Sequence, residues 1–503
     1  MPPPATHPLA AGRLGAPALI FVALAAATPL SVVTTTIPIA YAGNDVTFVP
    51  LLFPAVALVL LLFAVGYAAM IRRSPNAGAL YSFVARGLGR PTGIGAGWLA
   101  LLSYNALQIG LYGAAGLLAA PMLDSWFGLS APWWTVAAGC WLVVALCGLL
   151  RVELVGAVLA LVVLAEVAVI TGFGAANLID PAGDRITTDT LVPAGVVDRP
   201  ALGLLLVVAA FGFVGFETAA AYAEEASRPR RSVARAAALS ILGLTLLYAF
   251  SAWTTSVAAG PDRIAARSLD GGELLFELIG DRLAPWAVTL GRVMLLTGLI
   301  AAMISLHHTI ARYSFALARE GVLPNRLGRT GARTSVPFTA SITQSVVALV
   351  VLSLSYVAGW EPYTELYPWL TTAGALGVLL LLLGAALATM LFLNRAPNHE
   401  GAWRAFVAPV LATVLLGALL YLAARNLPAL LGVPSRHWLV IAVPAAFALV
   451  LGSGALFGLA LKTRSPITYA GIGLGGTAVV VAPAVPQQRS PGAHRPERIQ
   501  KSA

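Results

Sequence analysis

Charge is what this sequence has least of. Only 10% of its 503 residues are Asp, Glu, Lys or Arg, against 59% that are apolar, where a soluble domain of average composition carries about 25% charge. A water-soluble fold cannot hide that much apolar surface, which excludes an ordinary soluble enzyme or binding domain. Cysteine is nearly absent too. Cys140 and Cys147 stand seven residues apart in one apolar stretch, near the same helical face, and offer no disulfide framework. No Gly-x-x-x-x-Gly-Lys-Ser/Thr loop occurs, nor a soluble stretch long enough for an ATPase, so pumping driven by a nucleotide is not expected. His307 and His308 lack the His-Glu-x-x-His spacing of a metallopeptidase, and no cofactor or metal is implied. No small-residue cleavage site follows the first apolar run, which is therefore expected to remain as the first span.

What the sequence has in quantity is long apolar runs. A helix of about 20 mainly apolar residues crosses a bilayer, and such runs recur from residue 16 to 461 between short polar or Gly/Pro-rich breaks. They predict an all-α polytopic membrane protein of about twelve transmembrane helices. The net charge of +10 would suggest nucleic acid in a soluble protein. Here the basic residues sit in short loops between apolar runs, so the charge reads as topogenic and the lipid bilayer, not nucleic acid, is the expected partner. Arg72, Arg73, Arg86, Arg90, Arg151, Arg395 and Arg404 gather on one side, and Asp124, Asp180, Asp184, Asp189, Asp262, Asp270, Glu361 and Glu365 on the other. The positive side faces the cytoplasm. That predicts a multi-pass protein of the cell (inner or plasma) membrane with both termini inside: a cytoplasmic N-terminus over 1–15 and a polar, Pro-rich tail over 463–503, expected to be disordered.

Three segments carry a pattern. Arg72-Arg73-Ser74-Pro75-Asn76-Ala77-Gly78-Ala79-Leu80-Tyr81 leads through Gly89-Arg90-Pro91-Thr92-Gly93 into the third span. Phe211-Gly212-Phe213-Val214-Gly215-Phe216-Glu217 is followed by Glu224-Glu225-Ala226-Ser227-Arg228-Pro229-Arg230-Arg231. The eighth span leaves through Arg312 and Arg319-Glu320-Gly321-Val322-Leu323-Pro324. With these the chain resembles the permeases of the amino acid–polyamine–organocation superfamily, amino acid permease type. The resemblance implies a leucine-transporter-type 5+5 inverted repeat. Helices 1–5 would occupy 16–200 and helices 6–10 would occupy 201–395, with helices 11 and 12 in 396–462. Helices 1 and 6 would be broken at mid-membrane, with substrate held between the breaks. The first span contains Pro29, Pro38 and Thr34-Thr35-Thr36, and the sixth contains Gly212 and Gly215, so both have chain-breaking chemistry. The implied activity is not enzymatic. It is secondary active transport of an amino acid by alternating access, coupled to a proton or to sodium. The alternative is a polyamine or other organic amine as cargo, by uptake or exchange. A non-transporting nutrient sensor and a membrane enzyme are more distant.

A broken helix presents N–H groups at one half-helix start and carbonyls at the other half-helix end, a match for a zwitterion. By position in the family pattern the first break falls on Val32 to Pro38, which makes Thr34, Thr35, Thr36 and Ile37 candidates for substrate binding; alternatively the threonine hydroxyls bond back to their own helix. Gly215 lets the sixth helix unwind, with Phe211, Phe213 and Phe216 as apolar bulk, and family analogy gives an aromatic near Phe211 the role of closing over substrate. Tyr104, Asn105, Gln108 and Tyr112 share a polar stretch of span 3, with 104, 108 and 112 on one face; the stretch serves substrate or braces the first break. Glu217 and Glu166 are ionisable groups inside membrane segments, functional candidates by their cost. For each the competing role is structural. His307 and His308 lie deep in span 8, the helix that the fold turns toward a cation site, and are proton-coupling candidates with Glu217 and Glu166. Ser305 and Thr309 are the sodium alternative.

Overall fold

The computed structural model describes residues 9–42, 46–73, 78–193, 201–331, 334–395 and 400–475. Among these residues every extended element is helical, as it must be where lipid offers the backbone no hydrogen bonds. Eleven helical segments are long and apolar enough to cross a membrane, and a twelfth, α4, is a shorter apolar helix. In chain order the twelve are α1 (Ala16–Tyr41), α2 (Val49–Arg73), α3 (Arg90–Phe127), α4 (Trp133–Cys147), α5 (Val152–Ile179), α6 (Leu202–Tyr222), α7 (Pro229–Ala259), α8 (Pro285–Arg319), α9 (Phe338–Val357), α10 (Pro362–Arg395), α11 (Trp403–Arg425) and α12 (Leu439–Arg464). The turn Ser74–Ala77 expected between α2 and α3 lies outside the described residues. The short amphipathic helix that follows it is present as Ala79–Gly87.

Two of the twelve are interrupted. In α1 the helix Ala16–Ala26 stops, Thr28 takes a left-handed conformation at φ 49°, and Pro29 opens the next turn. Proline has no N–H to continue the ladder and its ring crowds the carbonyl four residues back, so the break lies there. The expected register at Val32 to Pro38 is thereby corrected. That stretch continues as a wide π turn over Val32–Thr36 and a helix over Ile37–Tyr41. Its threonines reinforce it: Thr34 Oγ1 donates to the Leu30 carbonyl at 3.0 Å and Thr35 Oγ1 to the Ser31 carbonyl at 2.6 Å. In α6 the helix Leu202–Phe211 ends, the chain turns through Gly212 to Gly215, and a 3₁₀ segment, Phe216–Tyr222, follows.

Around the broken pair, α1 packs on α5, α7 and α8, while α3 packs on α8, α10 and α12. Small residues allow the closest of these crossings: a Cβ placed on Gly454 of α12 would sit 2.6 Å from the Gly95 Cα of α3.

The ends carrying the basic loops are tied together. Leu14 pairs with the chain after α6, its N–H donating to the Glu225 carbonyl at 3.0 Å and its carbonyl accepting from Ser227 N–H at 2.8 Å. Glu225 binds the fully buried Arg312 of α8, and Glu224 binds Arg319. The two acids thus reach across to α8. The tail also departs from expectation. After α12 the helix Pro466–Gly471 forms, Ile472 is buried, and Glu320 accepts the N–H groups of Gly473 and Gly475 at 2.9 and 2.8 Å. In this segment a carboxylate satisfies the backbone N–H groups of Gly473 and Gly475; residues 476–503 lie outside those described.

Candidate functional site

A cavity of about 380 Å³ lies between the two breaks, within the size range of small-molecule sites. One end is built from the α1 break, Ala26 to Thr28, with Ser31 and the backbone of Gly212. Both half-helices that run into this end, Ala16–Ala26 and Leu202–Phe211, point their C-termini at it, where the dipole and free carbonyls favour a cation. The helix that restarts at Pro29 points its N-terminus there, the end that favours an anion. From this end the wall extends along Leu107 and Leu111 of α3, Val208 and Phe211 of α6, Leu306 of α8 and Tyr367 of α10.

Of the residues singled out from sequence, Thr35, Thr36 and Phe211 lie on the wall. Thr34 and Ile37 are buried on other faces of the restarted helix. Tyr104 and Gln108 of α3 are buried behind the wall: Tyr104 O–H donates to Glu217 Oε1 at 3.0 Å, and Gln108 Nε2 donates to the Met303 carbonyl of α8 at 3.1 Å while its Oε1 accepts from Gln344 of α9 at 2.6 Å. Asn105 Nδ2 donates to its own helix, at the Leu101 carbonyl. Phe213 packs behind the α6 break against Phe53 and Tyr248. Gly215, at φ 121°, lies directly beneath the α1 break; a Cβ there would meet Ala27 N at 2.6 Å.

Glu217 is committed to the unwound stretch. Its Oε2 accepts the Gly215 N–H at 3.0 Å and its Oε1 accepts Tyr104, while Thr218 Oγ1 closes the same turn onto the Gly215 carbonyl at 2.7 Å. Glu166 of α5 lies over Gly298 of α8, beside the backbone N–H of Leu30 just after the α1 break. One of its carboxyl oxygens is buried without a hydrogen-bond partner. The histidines sit away from the cavity. His307 Nε2 is 2.8 Å from Ser341 Oγ, which donates to the Gly148 carbonyl after α4; His308 Nδ1 is 3.2 Å from an Arg312 nitrogen. Ser305 Oγ donates to the Val22 carbonyl of α1 at 2.8 Å, and Thr309 Oγ1 to the Ser305 carbonyl at 2.9 Å.

Sequence reasoning missed Tyr248 of α7. Its hydroxyl donates to the Gly212 carbonyl at 3.0 Å and lies 3.4 Å from the Ala27 carbonyl, so one side chain spans both breaks. The available signal was a tyrosine in the middle of an apolar span, where a hydroxyl must find a partner.

Two discontinuous helices around a membrane-buried cavity are an architecture of transporters, and the sequence comparison agrees with it. The profile described as amino acid permease matches residues 14–451. The chain belongs to the amino acid permease family. The permease is 28% identical over 361 residues to an uncharacterized transporter of Mycobacterium tuberculosis, covering 69% of this chain and 74% of that protein. It is 23% identical to a low-affinity putrescine importer of Escherichia coli, covering 60% of this chain and 67% of that protein. A probable GABA permease of Pseudomonas aeruginosa is 24% identical, with 61% and 64% covered. The family and these relatives are transporters, so the permease is a multi-pass membrane protein of amino acid or polyamine transport.

Proposed function

We propose that the permease is a secondary active transporter that carries an amino acid across the plasma membrane by alternating access, driven by protons, with both termini in the cytoplasm. The observation that carries this is the polar end of the cavity. Half-helix C-termini at Ala26 and Phe211 and a half-helix N-terminus at Pro29 meet at one place, which suits the ammonium and carboxylate of one zwitterion. The ion-paired and tail-covered ends of α6 and α8, taken as cytoplasmic by the loop charges, support a state whose cavity communicates with the outside. A 5+5 repeat with rocking about the two breaks is the motion this arrangement supports.

Among the coupling candidates Glu166 has the strongest support. It touches the restart of α1 and keeps one buried oxygen without a partner, whereas both oxygens of Glu217 are occupied within the α6 turn. A carboxyl that gains and loses a proton beside Leu30 alters how the half-helix is held, which links proton binding to the break. A second reading, an organic amine as cargo, draws on the likeness to the putrescine importer.

The test is uptake of radiolabelled amino acids and polyamines into proteoliposomes under imposed proton or sodium gradients. Accumulation of an amino acid under the proton gradient alone is the expected result, and Glu166→Gln should lose accumulation at least 10-fold while still exchanging substrate across the membrane. If no compound moves under any gradient, the transport reading is wrong; if Glu166→Gln accumulates normally, the proton couples elsewhere.

A further inference from the structure

The sequence holds two acidic groups that a diamine transporter would use inside the membrane, Glu166 and Glu217, and neither reaches the cavity. Glu217 is buried with both oxygens bound to Gly215 and Tyr104. Glu166 is pressed between α5 and α8 over Gly298. No Asp, Glu, Lys, Arg or His occurs among the described residues of the cavity wall. A second ammonium or a side-chain carboxylate brought against the apolar flank would lose hydration there without meeting a counter-charge, which disfavours binding. The wall's polar groups lie at the breaks, along the restarted α1 at Thr35 and Thr36, and on α10 at Tyr367, Thr371 and Thr372, all of them uncharged, whereas Leu107, Leu111, Leu204, Val208, Phe211 and Leu306 give the cavity an apolar flank from α3, α6 and α8.

From this division of the wall we infer that the permease selects amino acids with bulky, uncharged, apolar side chains, of the leucine, isoleucine and phenylalanine kind, and rejects diamines, cationic and acidic amino acids. The inference rests on the transport reading above. The backbone ends take the ammonium and carboxylate that all amino acids share, and discrimination comes from burial along the apolar flank. A methylene in such a pocket is worth roughly 10–200-fold in discrimination, so leucine should outcompete glycine by on the order of 100-fold or more. Putrescine, with no carboxylate for the restarted α1 and a second charge for the flank, should not compete at all.

The experiment measures initial uptake of radiolabelled leucine, phenylalanine, glycine, lysine, glutamate and putrescine into proteoliposomes of the wild-type permease, and the same panel for Leu107→Asp and Val208→Asp. Expected are leucine and phenylalanine uptake in the wild type, with glycine taken up about 100-fold less effectively and the charged compounds excluded. Either variant, by putting a carboxylate on the flank, should cut leucine uptake at least 10-fold and admit lysine or putrescine. Wild-type uptake of putrescine, lysine or glutamate as effective as that of leucine overturns the inference and leaves the transport reading standing. Uptake of nothing in the panel removes the transport reading, and this selection with it. The wild-type panel decides the matter even if both variants fail to fold.

Discussion

At the scale of single residues, Gly215 and Arg312 show how differently a position can be determined. Gly215 holds φ 121° with its Cα against the α1 break. An L-residue there meets left-handed strain of about 1–2 kcal/mol and, in addition, drives its Cβ into Ala26 and Ala27. Gly215→Ala should therefore abolish uptake and lower the thermal unfolding temperature in detergent, measured on the purified protein. Arg312 has no exposed surface; it binds Glu225, stacks 4.0 Å from the Tyr222 ring centroid and contacts His308. Removing one member of a buried ion pair leaves the other charge unmatched, at a cost of about 3–5 kcal/mol, whereas replacing both with apolar residues is often nearly neutral. Arg312→Met should destabilise the permease strongly, and Arg312→Met with Glu225→Met should recover most of the loss in the same thermal assay. Both residues were visible in the sequence as parts of motifs, and Gly215 was read as an unwinding point. The partner of Arg312 was not legible, since Glu225 lies 87 residues away in the chain and only the packing of α6 on α8 brings the two together.

The elements repeat the lesson with the breaks. Hydropathy located the membrane helices because all but the short α4 are long and apolar enough to cross a bilayer. It is blind to which of two prolines ends a helix. Pro29 follows a left-handed Thr28, while Pro38 falls in the first turn of the helix beginning at Ile37, where a proline is tolerated. Thr34 and Thr35 offered hydroxyls that looked like ligands in sequence and serve largely to close their own turn. The composition of the cavity flank was equally hidden, because Leu107, Val208 and Leu306 are ordinary apolar residues until the helices carrying them converge. Tyr248 joins the two breaks through one hydroxyl. Tyr248→Phe removes a hydrogen bond worth about 0.5–1.5 kcal/mol, a small loss of global stability. It should nevertheless slow uptake by roughly that energy expressed as a rate, about 2- to 10-fold, because the two breaks lose their direct link; initial-rate uptake alongside a melting curve separates the two effects.

On the scale of the whole molecule, loop charge gives an expectation of which helix ends face the cytoplasm. It could not anticipate that the tail folds back. A polar, Pro-rich composition argues for disorder, but Glu320 supplies acceptors for the N–H groups of Gly473 and Gly475, a contact between segments 153 and 155 residues apart.

Helix α4 is built from 15 residues, about 22 Å at 1.5 Å per residue, against a hydrocarbon layer about 30 Å thick. It begins with Trp133 and Trp134, and at its other end the Gly148 carbonyl is held by Ser341, which His307 contacts in turn, so that end is tied to α9 and α8. A bilayer that thins along this flank would match it, and hydrophobic mismatch there costs fractions of a kcal/mol per ångström. Every added pair of acyl carbons then loads the α4–α8–α9 corner, and through α8 the wall of the cavity. Uptake rates in proteoliposomes of graded acyl length should accordingly peak in short-chain lipid and fall as the bilayer thickens, making membrane thickness a variable to which this transporter is mechanically exposed on one side.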